Sequence, residues 1–279
     1  MNTCIIGLGL IGGSMAMALR KKGFSENIIG VDSDASHCTK ALELKLVDQV
    51  MSLEEAVSIS KLVVVAIPVD ATAKVLPEIL DMIKLQVVMD VGSAKWEIGN
   101  SVEAHPGRGR FVASHPMWGT EFSGPSAAMD GAFIHKAAVI CDKEKSHPDA
   151  VALVEQVYTL LGMHIVFMSA SAHDIHAAYI SHVSHITSFA LANTVLEKEK
   201  EDNTIFELAS GGFESTVRLA KSNPSMWLPI FKQNKDNVLD VLNEHISQLK
   251  KFKSCLEKEN YDYLQQLMTH ANTIKRILK

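Results

Sequence analysis

The 279-residue sequence predicts an α/β chain in two parts, a parallel-sheet unit over residues 1–168 and an all-helical unit over residues 169–279. Three observations predict this division. Short β-branched runs alternate with amphipathic stretches through the first half, a glycine-rich turn directly follows the first run, and strand signals stop after about Met168.

The runs Cys4-Ile5-Ile6, Ile28 to Val31, Leu62 to Ile67 and Val87 to Val91 are apolar almost throughout. That is the character of parallel strands covered on both faces. Leu10 to Lys22 and Ala71 to Leu80 have the helical period expected of the crossovers between them. Phe111-Val112-Ala113, Ala137 to Cys141 and Ile165-Val166-Phe167 extend the sheet, with Asp149 to Leu161 as an intervening helix. From Ala170 the pattern is helical to about Leu196, breaks at the charged stretch Glu197 to Asp202, and resumes to the C-terminus. Ile180 to Ala192 is apolar around most of its circumference, which predicts burial against a second subunit and hence a homodimer through the helical unit.

Composition narrows the function classes. A hydrophobic fraction of 47% with 21% charged residues fits a folded globular protein rather than a disordered or fibrous one. A net charge of −5 gives no basic field, so a nucleic-acid partner is not expected. Cys4, Cys38, Cys141 and Cys255 stand far apart and read as reduced thiols. No charged-then-apolar leader opens the sequence, so a cytoplasmic protein without membrane contact is expected.

Gly7-Leu8-Gly9-Leu10-Ile11-Gly12 is a GxGxxG turn between the first strand and the first helix. Gly7 permits the tight turn, Gly9 lets backbone approach a pyrophosphate, Gly12 allows close helix–strand packing, and the helix N-terminus at Leu10 and Ile11 presents free N–H groups. Asp32 closes the second strand 20 residues beyond Gly12. A carboxylate there accepts a ribose 2′-hydroxyl and repels a 2′-phosphate, so the unit reads as a Rossmann domain that binds NAD in preference to NADP. Ile67-Pro68, at the end of the third strong strand, is expected on the same cofactor path.

Ser114-His115-Pro116-Met117-Trp118-Gly119-Thr120-Glu121 places a histidine just past a short strand, at the sheet edge where ligands bind. With an ordinary pKa near ~6.5, such an imidazole can accept a proton at neutral pH. His173, His176, His182 and His185 form two HxxH pairs. On one straight helix at ~100° per residue, His173 and His182 point to opposite sides, and no metal site is expected.

The His115–Gly124 segment, written HPMxGTExSG, resembles the signature of the prephenate/arogenate dehydrogenase family. So do Asp90-Val91-Gly92-Ser93-Ala94-Lys95, His173-Asp174 with Ser181 to His185, Gly211-Gly212-Phe213 leading to Thr216-Val217-Arg218, and Pro224-Ser225-Met226-Trp227. The similarity runs from the glycine loop to about Asn237 in the family's order. Trp118 departs from the small residue expected at the variable position and is given no role.

The resemblance implies NAD-dependent oxidative decarboxylation of prephenate to 4-hydroxyphenylpyruvate in tyrosine biosynthesis, with arogenate as the alternative substrate. It implies that His115 polarises or deprotonates the substrate hydroxyl, that Ser93 orients His115, and that Arg218 binds a substrate carboxylate. His182 and His185 would stand near the substrate, Thr120 and Glu121 would contact it, and Trp227 would lie near the pocket mouth. The apolar neighbours Val217, Leu219 and Ala220 suggest that Arg218 is enclosed. His173 and His176 are read as satisfying interior hydrogen bonds. The chain is expected to be monofunctional. A β-hydroxyacid dehydrogenase would leave the histidine loop unexplained, and a non-catalytic NAD sensor would be expected to lack His115, Ser93 or Arg218.

Overall fold

In the computed structural model, which describes residues 1–200 and 205–277, eight strands form one sheet. They are β1 (Asn2–Ile6), β2 (Asn27–Val31), β3 (Gln49–Val50), β4 (Leu62–Val65), β5 (Val87–Asp90), β6 (Phe111–Pro116), β7 (Ala137–Cys141) and β8 (His164–Met168). Their order is β3-β2-β1-β4-β5-β6-β7-β8. All pairings from β3 to β6 are parallel, and the order reverses direction beside β1, which opens a crevice at the C-terminal strand ends. β7 runs antiparallel to β6 and β8 parallel to β7, so the three late strands do extend the sheet, as a mixed edge.

The period of two within each strand splits the core into two layers. In β4, Leu62 and Val64 pack on one face while Val63 and Val65 pack on the other, all fully buried. Each such side chain contributes roughly 1.5–3 kcal/mol relative to exposure. The first face is covered by α1 (Leu10–Lys21) and α6 (Pro148–Leu160), through Met15, Leu19, Val154 and Val157. The second is covered by α3 (Leu53–Ile59), α4 (Val69–Met82) and α5 (Trp96–Asn100), through Val57, Leu76, Ile79 and Ile98. α2 (Ala35–Glu43), α3 and the two-residue β3 carry weak sequence signals. α2 buries only Ala41 and is polar over most of its length, so it lacks the apolar content that marks α1 and α4.

The helical half contains α7 (Ala170–Ala177), a π-helical turn (Ala178–His182), α8 (Val183–Glu199), α9 (Gly211–Val217), a 3₁₀ turn (Arg218–Lys221), α10 (Pro224–Gln233), α11 (Lys235–Glu257) and α12 (Tyr261–Ala271). It docks on the second sheet face through Ala170, Trp227 and Ile230. α8 runs past the start of the expected charged break, whose last residues, 201 and 202, lie outside the described residues. Burial of the apolar segment is not met within the single chain. α8 buries only Ser188, while Tyr179, Ile180 and Leu196 are 50%, 66% and 50% exposed, which leaves an apolar surface of the kind subunits cover. The straight-helix premise also fails, because the π turn resets the angular phase between His173 and His182. No described helix is long and apolar enough to cross a membrane.

Candidate active site

The glycine turn has the geometry its sequence implies. Gly7 has φ +94°, and a Cβ there would stand 2.4 Å from the Ala66 carbonyl oxygen. A Cβ on Gly12 would stand 2.0 Å from the Gly7 carbonyl oxygen, so α1 can approach β1 only without a side chain. Gly9 faces open space, and no side chain caps α1, so its first N–H groups are free for an anion. Asp32 is held in place by the Leu8 N–H to Oδ2 at 2.8 Å and the Asp34 N–H to Oδ1 at 2.9 Å. Capping of α2 falls to Asp34, which accepts from Ser36 N–H, so Asp32 remains available at the strand end. His37, which the sequence reading passed over, stands with Nδ1 3.4 Å from Asp32 Oδ2. These residues fit a dinucleotide with free ribose hydroxyls.

Beyond β5 the chain builds a fully buried ionic clamp. The Lys95 ammonium donates to Asp90 Oδ2 and to the Ser114 carbonyl oxygen, the latter at 2.7 Å. Asp90 also accepts from Gly92 N–H at 3.0 Å and Ser114 N–H at 3.1 Å, and Ser114 Oγ contacts Tyr158 Oη at 2.7 Å. Burying two charges is tolerated because each is paired and hydrogen-bonded, and removal of one partner is costly. Lys95→Met is expected to destabilise the fold by ~3–5 kcal/mol, measured as a lower denaturation midpoint at unchanged slope. The clamp fixes the chain on both sides of Ser114, immediately before His115.

His115 ends β6 with its ring partly open to a cleft. Its Nδ1 lies 2.9 Å from His173 Nε2, and His173 Nδ1 lies 2.8 Å from Asp174 Oδ1. Burial, then the neighbouring His173, Lys95 and His182, push the His115 pKa well below the ordinary imidazole value, so the ring is neutral at pH 7. Ser93 lines the same cleft but makes no hydrogen bond to His115, contrary to expectation. The orienting contact comes instead from His173 on α7, 58 residues away in sequence. No local pattern could have indicated it.

The opposite wall comes from the helical half. Arg218 reaches the cleft from the 3₁₀ turn, with its guanidinium donating to Glu121 Oε2 at 2.9 Å. Its side chain is 49% exposed, so the enclosure suggested by its apolar neighbours is not provided by this chain alone. Glu121 is held below the usual carboxylate range by its own backbone N–H and by Arg218. His185 stacks on Trp227 at a centroid distance of 3.6 Å and donates from Nδ1 to the Ser181 carbonyl oxygen. Burial lowers its pKa.

His182 lies elsewhere than expected. It is fully buried behind Trp227 and does not line the cleft, and its Nδ1 accepts from Asn234 Nδ2 at 3.1 Å. Burial lowers its pKa to about 4, so it is a neutral support for Trp227. Trp227 is both a core residue, 5% exposed, and part of the cleft wall.

One cleft of about 570 Å³ unites most of the predicted residues. Gly9, Leu10, Ile11, Ile67 and Pro68 line its cofactor end, while Ser93, His115, Thr120, His185 and Arg218 line the rest. Trp118 also faces it, edge-on to Phe133 at 5.4 Å. An imidazole and a guanidinium thus share a cavity that reaches the glycine turn. Residues 15–167 match the family described as prephenate dehydrogenase, nucleotide-binding domain, and residues 169–270 match prephenate dehydrogenase, dimerization domain.

The chain belongs to the prephenate dehydrogenase family. It is 32% identical to prephenate dehydrogenase of Bacillus subtilis over 93% of this chain and 71% of that protein. It is 30% identical to cyclohexadienyl dehydrogenase of Zymomonas mobilis over 100% of this chain and 96% of the relative. The solved prephenate dehydrogenase of A. aeolicus in complex with hydroxyphenyl propionate and NAD+ superposes with a TM-score of 0.87 at 27% identity, covering 100% of this chain and 98% of that one. Membership accounts for the ordered motifs and for a helical half of the dimerisation type.

Proposed function

We propose that this dehydrogenase uses NAD to convert prephenate to 4-hydroxyphenylpyruvate by oxidative decarboxylation, and that it works as a homodimer. The observation that carries the reading is the convergence of His115 and Arg218 on one cleft that opens onto the glycine turn. The NAD-bound A. aeolicus relative and the fit of the Gly9–Asp32 region support the cofactor, and the exposed Tyr179, Ile180 and Leu196 along the π turn and α8 support the dimer.

When bound, NAD supplies the hydride acceptor. Asp32 would hold its ribose hydroxyls, and the free N–H groups at the α1 N-terminus would receive its pyrophosphate. Arg218 fixes a substrate carboxylate by charge-assisted bonds, which turns the ring hydroxyl toward His115. The neutral imidazole takes the hydroxyl proton as hydride leaves the same carbon. Loss of carbon dioxide sends its bonding pair into the ring, and the resulting phenolate oxygen takes the proton back from His115. Trp227 and His185 wall the cavity and limit water near that exchange.

The test is purified enzyme supplied with prephenate or arogenate and with NAD or NADP. NADH, carbon dioxide and 4-hydroxyphenylpyruvate in equal amounts from prephenate support the proposal. Tyrosine formed from arogenate alone would reassign the substrate, and cofactor binding without turnover would refute the enzyme reading. Asp32→Ala is expected to weaken NAD about tenfold or more and to narrow its advantage over NADP, as measured by titration calorimetry.

A further inference from the structure

His173 and Asp174 lie behind His115 and do not line the cleft, yet both are 2% exposed and every side-chain nitrogen and oxygen of the pair is hydrogen-bonded. Asp174 Oδ1 accepts from Lys95 N–H at 2.8 Å, and Oδ2 accepts from Trp96 N–H at 2.9 Å. As a carboxylate that already receives two backbone donors, Asp174 can only accept. The third contact, from His173 Nδ1 to Oδ1, must then be a donation by His173. A neutral His173 with its proton on Nδ1 has a bare Nε2. That nitrogen can only accept, so the proton in the 2.9 Å contact belongs to His115 Nδ1. The two rings meet edge-on at 71°, which suits an in-plane N–H to a lone pair. With its single proton committed to Nδ1, His115 presents an unprotonated Nε2.

We propose that Asp174 and His173 are positioning residues that lock His115 in the Nδ1–H tautomer, so that Nε2 is the atom that receives the substrate proton. The proposal rests on the reading of His115 as proton acceptor. A plain capping role for Asp174 accounts for its bonds to the start of α5, but not for a second imidazole held between that carboxylate and His115. The chain is itself pinned: Asn234 Nδ2 donates to the Asp174 carbonyl oxygen at 2.7 Å, and the His173 N–H to the Ser169 carbonyl oxygen at 3.0 Å. The orientation of a base in the parallel-sheet half is thereby set by a helix of the other half.

Nitrogen-15 NMR of histidine-labelled enzyme, with His115 assigned by its loss in His115→Asn, reads the tautomer directly. A pyrrole-type Nδ1 and a pyridine-type Nε2 at neutral pH are expected for His115. In His173→Leu, Nε2 should gain pyrrole character, because an isolated imidazole prefers that tautomer. In the same variant kcat should fall about 10- to 100-fold with KM for both substrates within about twofold. His173→Gln, whose carboxamide oxygen reaches the position of Nε2 and accepts, should restore most of kcat and the Nδ1–H signature.

A protonated Nε2 on wild-type His115, or wild-type kcat in His173→Leu, would overturn the proposal. Should His173→Leu not fold, the wild-type spectrum and the Gln variant still decide. Absence of turnover by wild-type enzyme on prephenate and arogenate would count against the reaction, whereas the tautomer is scored by the spectrum alone.

Discussion

His115→Asn is expected to lower kcat by about 10²- to 10⁴-fold while NAD affinity stays within about twofold of wild type. Asparagine cannot accept and return a proton, so the loss should fall on the chemical step. The glycine turn and Asp32, proposed to hold the cofactor, are separate from β6 and remain intact. The pH profile offers a second check. Only the neutral imidazole can accept the hydroxyl proton, and burial with His173, Lys95 and His182 nearby lowers the pKa of His115. Protonation therefore sets in below the ordinary value of about 6.5, and the acid limb of kcat/KM should lie below it. Activity should persist as pH falls through 6.5 and be lost only in more acidic solution. An acid limb above 6.5, or loss of NAD binding in the variant, would contradict the assignment.

Arg218→Ala is expected to lower kcat/KM about 10- to 150-fold, mainly through a raised KM for the carboxylate substrate, with the KM for NAD little changed. The guanidinium is bound to Glu121 through one nitrogen, so its remaining N–H groups are available to a carboxylate. Arg218→Lys should recover only part of the loss, because an ammonium offers no planar fork. Initial-rate kinetics with both substrates varied separate the two KM values. Unchanged kinetics in Arg218→Ala would remove this residue from the site. Because the side chain is half exposed in the single chain, the size of the effect should also fall if the dimer is dissociated and the partner normally covers it.

Both variants concern residues that were legible as candidates before any geometry, and the reasons differ. The cofactor end was legible because it is local: Gly7, Gly9, Gly12 and Asp32 belong to one strand–turn–helix–strand unit whose spacing is dictated by backbone sterics. The strands were legible because burial on both faces leaves apolar runs such as Val63 to Val65. α2 and α3 were not, since a short helix that buries only one or two residues carries few apolar positions to mark it. Three assignments were revised on contact with the fold. Ser93 makes no bond to His115, His182 backs Trp227 instead of lining the cleft, and Arg218 is half exposed instead of enclosed. The first two were carried over from motif resemblance and the third from apolar neighbours in sequence, and neither fixes the side chain's direction.

The amino-acid sequence by itself determined the two-part order of strands and helices, the glycine turn with Asp32 at the next strand end, and the choice of His115 and Arg218 as candidates for the site. These follow from short-range sterics and from periodic burial, both of which are written within a few turns of chain. Tertiary structure alone decided that His173 and Asp174 stand behind His115, that Lys95 and Asp90 clamp the strand end beneath it, and that the π turn sets the phase of the later histidines. Hydrogen bonds between residues 58 or 79 positions apart depend on how two halves dock, and docking is settled by the packing of whole helix and sheet faces.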